Sequence, residues 1–368
     1  MLLASCGGSD GLSALAMKIT DQGCDSATLS APEAGLVTFA LENAASKRGE
    51  FEIVSATPSI IFEGYLTPGE SKEVKVQLRA GSYELICGNT NTPSRGRLSV
   101  GPGATEVAAA QGSDRAALDA IAADYTTVVR AEATKLERGT RQFTNAVRAG
   151  DTARAKALYA TVREPWERIE PVAEAFPDAD AAIDSRADDH PRAEADPGFT
   201  GFHALEYGLW AQGTKKGARV NMNRLATRLD ADVATLVREL RGLNVTPEAM
   251  TNGAAALIEE AAQTKVTGEE ERYSRTDLAT LASNLEGSRT VFKLIEDRLG
   301  RADPQLRDDT LRAMRRVQAV ITPYQSSAGF ASYAKVSRED RNRLKTTMAE
   351  LSELLARVPG SLGLELAG

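Results

Sequence analysis

Apolar and polar residues alternate in short runs over the first hundred positions, then switch to a helical rhythm that holds to the C-terminal end. Residues 17–20, 37–41, 50–54, 74–78, 83–87 and 97–100 carry the period of two of a strand with one buried face. Turn-forming groups separate them, at 32–35, Thr67-Pro68-Gly69-Glu70, 80–82 and 89–96. Short strands at this spacing predict a small β-sandwich over 15–101. The Gly/Pro and Ala/Gln run at 102–113 predicts a linker. Beyond it, Leu118, Ile121, Tyr125, Val128 and Val129 fall on one face of a helix begun by Ser113-Asp114. Gly150-Asp151 ends that helix and caps a second, with Ala157, Leu158, Val162, Trp166, Ile169 and Val172 turned inward. A loop rich in Pro and acid follows at 177–197. A helix through 198–210 comes next, then helices near 219–242, 247–264, 271–299, 304–320 and 338–357. No strand signal appears after 101. The fold class expected is multidomain, β then all-α, with a helical bundle over 114–368.

Composition refines the picture in two places. The 368 residues carry 44 basic and 51 acidic side chains, a net charge of −7 spread along the chain, with no basic block of the kind that tracks nucleic acid. No run approaches the ~20 apolar residues of a membrane span. Residues 1–14, however, contain Leu3-Ala4-Ser5-Cys6 followed by Gly and Ser. That matches a bacterial lipobox remnant and tether, so the expectation is a lipid-anchored protein of the periplasm or cell envelope, held at Cys6 if the true start lies upstream. Cys24 and Cys87 both lie in the β segment. In an oxidising compartment they form a disulfide by default, and the alternative is a pair of thiolate metal ligands.

The chain has only two histidines, and one sits in the apolar stretch Phe202-His203-Ala204-Leu205-Glu206-Tyr207. His203 and Glu206, three apart, share one helix face and can hold one cation. The second helix offers the same spacing in Glu167 and Glu170, beside Trp166 and Ile169. Asp184 lies in the intervening loop and can close the set, and Arg186 can keep a carboxylate ionised. Bundles build metal sites from such residues on facing helices. Carboxylates with a single imidazole suit iron, manganese or zinc better than Cu(I). The chain has no His-Glu-x-x-His, Walker loop, dinucleotide fingerprint or Gly-x-Ser-x-Gly, so catalysis has little support and metal capture has some.

The β segment, closing in a strand with Cys87 and a Gly/Asn/Pro loop, looks like a cupredoxin. A blue-copper site takes two His and a Cys. The segment has no His, which leaves that chemistry without its ligands. What remains are Cys24, Cys87 and the acidic Glu50, Glu52, Glu63 and Glu84, either a second metal site or a disulfide with solvated carboxylates.

The order of a cupredoxin-like segment, a linker and a helical segment with His-x-x-Glu resembles the EfeO-type periplasmic iron-uptake lipoproteins, whose helical part is imelysin-like and carries a peptidase-family label. The match runs from about residue 17 onward. Its motifs are Cys24-Asp25, Tyr83-Glu84-Leu85-Ile86-Cys87-Gly88, Trp166-Glu167-Arg168-Ile169-Glu170-Pro171, Ile183-Asp184-Ser185-Arg186, residues 200–210 and Thr267-Gly268-Glu269-Glu270-Glu271-Arg272-Tyr273-Ser274. The resemblance implies a bundle metal site of Glu167, Glu170, Asp184, His203, Glu206 and an acid of the 267–269 block, with Glu269 preferred over Glu270. It also implies a second site near Cys24, Glu50, Glu84 and Cys87, iron as the cation with zinc or copper as alternatives, a membrane iron permease and a haem-peroxidase-like companion. One departure stands out: Arg275 occupies a position where the family is expected to have His. Two other readings stay open. One is a surface lipoprotein that binds a polysaccharide or protein partner around a structural metal. The other is a metallopeptidase, against which the missing second His counts.

Overall fold

The computed structural model describes residues 14–24, 28–55, 60–78, 80–88, 94–101, 113–173, 176–212 and 220–364. The lipobox around Cys6 and linker residues 102–112 lie outside them. Among the described residues, alternation builds nine strands in the N-terminal part: β1 (Leu15–Thr20), β2 (Gly23–Cys24), β3 (Thr28–Ala31), β4 (Gly35–Asn43), β5 (Gly49–Ser55), β6 (Ile60–Leu66), β7 (Ser71–Leu78), β8 (Gly81–Gly88) and β9 (Ser94–Val100). They form a four-stranded sheet in the order β2-β1-β4-β7 and a five-stranded sheet in the order β3-β9-β8-β5-β6. β1 runs parallel to β4 and β3 parallel to β9; the other pairs are antiparallel. The core lies between the sheets. Met17, Ile19, Phe39 and Leu41 of one meet Phe51, Ile53, Leu85 and Leu98 of the other, with the Phe39 and Phe51 rings 5.4 Å apart. This is the cupredoxin-like sandwich of the sequence reading. Cys24 and Cys87 are bonded to each other, bridging the two sheets.

The second part is helical: α1 (Ser113–Arg148), α2 (Thr152–Ala173), α3 (Pro177–Asp184), α4 (Gly201–Trp210), α5 (Met222–Gly242), α6 (Pro247–Gln263), α7 (Asp277–Ala302), α8 (Pro304–Ile321), α9 (Arg338–Ala356) and the single turn α10 (Val358–Ser361). Gly150 (φ +71°) closes α1 and Asp151 accepts the Arg154 N–H at 3.0 Å, so α2 turns back against α1. Thr246, Asp303 and Ser337 cap α6, α8 and α9 through their side chains. One continuous core fills the bundle, and no helix among the described residues is long and apolar enough to cross a membrane.

The structure departs from the sequence reading in three places. The loop at 177–197 contains α3, started by Pro177 in the first turn where its missing N–H costs nothing. α7 begins at Asp277 and not at 271, because 264–276 folds as a 3₁₀ turn and tight turns. A two-residue hairpin, β10 (Gln325–Ser326) with β11 (Gly329–Phe330), follows α8, too short to show as a pattern.

The five-stranded sheet turns its outer face to the bundle. Along β5, Phe51 and Ile53 point into the sandwich, so Glu50, Glu52 and Val54 share the opposite face. There Val54 and Ile86 close over Phe176, the residue that precedes α3. Lys47 donates to the Asp188 carbonyl, and Arg95 lies 3.5 Å from Asp178. Replacing both Cys24 and Cys87 by Ala is expected to lower the unfolding free energy of the sandwich by about 2–4 kcal/mol. Circular dichroism should show strand signal lost at a lower temperature with the helical signal kept; a single shared transition left unmoved would contradict it.

Candidate metal centre

Four chain segments meet inside the bundle. On α2, Arg163, Glu167 and Glu170 recur at i, i+4 and i+7 and therefore share one stripe, fully buried beside Trp166. α3 delivers Asp184 at its last residue. α4 starts at Gly201, whose φ is +77° and whose added Cβ would stand 2.1 Å from the Ile183 carbonyl oxygen. Only glycine fits that approach. With Thr200 Oγ1 donating to Ala182 O at 3.0 Å, it seats the first turn of α4 on the last turn of α3 and brings His203 to Asp184. The turns between α6 and α7 supply Lys265, Glu270 and Glu271, all buried.

His203 is the pivot. Its Nδ1 lies 3.1 Å from Glu206 Oε2, and Glu206 Oε1 accepts the Tyr273 and Ser274 N–H groups at 2.9 and 2.6 Å. Glu206 thus fixes the ring and ties α4 to the turn that carries Glu270. The ring's other nitrogen, Nε2, is buried with no hydrogen-bond partner of good geometry. It faces Asp184 Oδ1 at 3.5 Å and Glu270 Oε1 at 3.8 Å. One nitrogen and two carboxylate oxygens therefore converge with a ligand atom of each within 4.8 Å of the others. A second triad, His203 with Glu206 and Glu271, is as compact. The first has the orphaned nitrogen, which is what a cation would satisfy.

Internal cations balance the remaining carboxylates. Arg163 pairs with Asp184, with Glu167 at 2.5 Å and with Glu271 at 2.7 Å. Lys265, wholly buried, reaches Glu170 at 2.5 Å, Glu167 at 3.3 Å and Glu260 at 3.6 Å. Asn284 Nδ2 donates to Glu167 Oε2 at 3.1 Å and Glu170 Oε2 at 3.2 Å. Arg186 Nη1 holds Glu270 Oε2 at 2.8 Å, and Trp166 Nε1 donates to Asp184 Oδ2 at 2.8 Å.

Titration follows from these contacts. Burial pulls His203 down and Arg163 repels its proton. The hydrogen bond to Glu206 and the facing carboxylates of Glu270 and Asp184 outweigh both, lifting it to about 10. Burial pushes Glu271 up to about 8, against the opposing pull of Arg163. Burial also raises Glu170 well above its ordinary value despite Lys265. Glu270 is driven well below its ordinary value because Arg186, Lys265 and His203 overcome burial. At neutral pH the imidazolium of His203 holds the place between Asp184 and Glu270. Its stabilising effect is complete below the unfolded value of 6.5 and is lost as pH rises toward 10.

Comparison with known proteins places the chain in a family. The cupredoxin-like domain matches residues 1–100 and imelysin matches residues 121–358. Over 347 residues, 94% of this chain and 91% of the relative, the sequence is 38% identical to the iron uptake system component EfeO of Escherichia coli. The same values hold for the proteins of that name from Shigella flexneri and Shigella sonnei. The chain belongs to the EfeO family. A solved structure of dithionite-reduced auracyanin from Roseiflexus castenholzii overlaps 25% of the chain and all of its own at 16% identity, with a TM-score of 0.21, too slight a likeness to bear on the site.

Within this EfeO-type chain, Glu167, Glu170, Asp184, His203 and Glu206 all face the buried cluster. Glu167 and Glu170 nevertheless spend their oxygens on Lys265, Arg163 and Asn284, one step from His203. Glu269 does not take part: its side chain is 56% exposed and pairs with Arg272 at 2.8 Å, while Glu270 occupies the inward position. The second site does not assemble as expected either. Cys24 and Cys87 bind each other, leaving no thiolate. Glu84 pairs with Arg95 at 2.9 Å on the sheet surface, and Glu50 faces the bundle. Arg275 (φ +63°) donates to the Gly268 carbonyl at 3.0 Å and accepts the Tyr333 N–H at 2.9 Å, fastening the turn instead of joining the cluster. Sequence reasoning missed Arg163, Lys265, Glu271 and Asn284. For Arg163 a signal existed, its i, i+4 register with Glu167.

Two substitutions test this geometry. Gly201→Ala is expected to cost at least about 1 kcal/mol through backbone strain alone and to weaken cation binding by displacing α4; an unchanged melting temperature would contradict the close approach. Lys265→Met leaves Glu167 and Glu170 without their counter-charge and is expected to cost about 3–5 kcal/mol in denaturant unfolding of the metal-free protein. A loss below ~1 kcal/mol would mean the ammonium is not holding those carboxylates.

Proposed function

We propose that this chain is the extracytoplasmic iron-binding component of a high-affinity iron uptake system, capturing Fe²⁺ or Fe³⁺ and passing it to a membrane permease. Iron is cargo here, not a resident cofactor. A periplasmic or envelope location, a lipid anchor at Cys6 and a haem-peroxidase-like companion belong to the same reading. The observation that carries it is the buried, unpartnered His203 Nε2 facing Asp184 and Glu270. The curated relatives, named iron uptake system components, add the choice of metal. A donor set of one imidazole and carboxylates fits iron better than a soft cation. Asp184, His203 and Glu270 are the proposed ligands, with Glu271 and Glu206 beside them. Glu206 orients the ring, and Arg163 and Lys265 pair with Glu167 and Glu170.

Titration calorimetry with anaerobic Fe²⁺ on the wild type and on His203→Ala/Glu206→Ala tests the reading. Binding in the wild type and its loss, at least about a hundredfold in affinity, in the double variant is expected; equal binding in both would dispose of it. The sign of the pH dependence is a separate check. Because His203 titrates near 10 in the metal-free protein, a cation at Nε2 must displace a proton at pH 7. Calorimetry in buffers of different ionisation heat should show proton release, and affinity should rise by up to about tenfold per pH unit between 6 and 7.5. His203→Gln should release about one proton fewer. Proton uptake, or affinity falling as pH rises, would place the cation elsewhere.

A further inference from the structure

A cleft of about 40 Å³ lies between the outer face of the five-stranded sheet and the bundle. Arg48, Glu50 and Tyr65 form one wall, and the bundle forms the other. Asp184 and Glu270, the two carboxylates facing His203 Nε2, are among its lining residues. Seven carboxylates and only two guanidinium groups line it, so its field favours cations. Its volume is room for about three waters, enough for a partly stripped ion. The wall from the sandwich is fixed in place. Val54, on the same face of β5 as Glu50, closes with Ile86 over Phe176, and Lys47 grips the Asp188 carbonyl. Arg48 lies over the Tyr65 ring at 4.3 Å and its Nη1 is buried without a hydrogen-bond partner. Arg186, also lining the cleft, spans from Glu270 at 2.8 Å toward Asp189 at 4.0 Å.

We propose that this interdomain cleft is the route by which the cation reaches the buried His203–Asp184–Glu270 centre, with Glu50 of the β-sandwich as the transit ligand facing the bundle carboxylates. The proposal rests on the metal-capture reading above and adds a job for the β domain that needs neither a thiolate nor a copper site. A transit ligand lowers the barrier between solvent and centre without belonging to either end. Removing it slows entrance and exit together and leaves the equilibrium nearly unchanged.

Trp166, hydrogen-bonded to Asp184, provides a fluorescent reporter for stopped-flow mixing of the full chain with anaerobic Fe²⁺. Glu50→Lys is expected to slow association and dissociation each by about tenfold or more, with equilibrium affinity within about threefold of wild type. Glu50→Gln should act in the same direction, less strongly, and covers the case in which the lysine variant folds poorly. Glu84→Lys makes the same charge change on the same sheet outside the cleft and should leave both rates at the wild-type value. Wild-type rates in both Glu50 variants would overturn the route. A loss of affinity as large as that of His203→Ala would make Glu50 a ligand of the resting site and overturn it too. Failure of the capture reading shows separately, as wild-type binding that does not depend on His203.

Discussion

Burying carboxylates in a helical core is the constraint on which the rest of this structure depends. Glu167, Glu170, Asp184, Glu206, Glu270 and Glu271 lie together away from water, and each ion moved out of water costs several kcal/mol unless compensated. The chain compensates with Arg163, Lys265 and Arg186 as built-in cations and with backbone N–H groups aimed at Glu206, while burial raises the proton affinity of Glu170 and Glu271. At His203 Nε2, facing Asp184 and Glu270, that compensation is left open. There a proton stands where a metal ion would stand, between two carboxylate oxygens. The cluster is thus poised: fixed salt bridges hold the shell, and one position exchanges a single positive charge for two or three.

This view separates the roles of the acidic pairs. Glu167 and Glu170 are held by Lys265 and Asn284, so they shape the field and keep the interior from collapsing. Asp184 and Glu270 face the open nitrogen. Glu206 orients the ring and ties α4 to the turn before α7. Removing any internal cation should therefore disturb stability before it disturbs metal choice, because buried pairs are costly to break from one side.

Much of this was legible in the residues. The switch from a period of two to a period of 3.6 near residue 100 located both parts of the fold, because burial on one face imposes each rhythm. The spacing of His203 with Glu206, and of Glu167 with Glu170, exposed the helix faces that carry them. What stayed hidden had physical causes. Three consecutive glutamates at 269–271 sit in turns, where no periodicity says which one points inward, and Glu269 points out. Lys265 and Arg163 were passed over because such residues are normally solvated, and only the surrounding acids explain their burial. Along β5, alternation puts Glu50, Glu52 and Val54 on one face, but no local pattern reveals that a second domain covers it. Arg275, in the position where a histidine was expected, proves to brace Gly268 and Tyr333.

The most direct test of the central claim is anomalous diffraction at the iron edge from crystals of the full chain equilibrated anaerobically with Fe²⁺. The account predicts a single strong peak within bonding distance of His203 Nε2, with carboxylate oxygens of Asp184 and Glu270 completing its near neighbours. A peak among the Glu167, Glu170 and Lys265 side chains, one confined to the β-sandwich, or none in the bundle at full iron loading would contradict it.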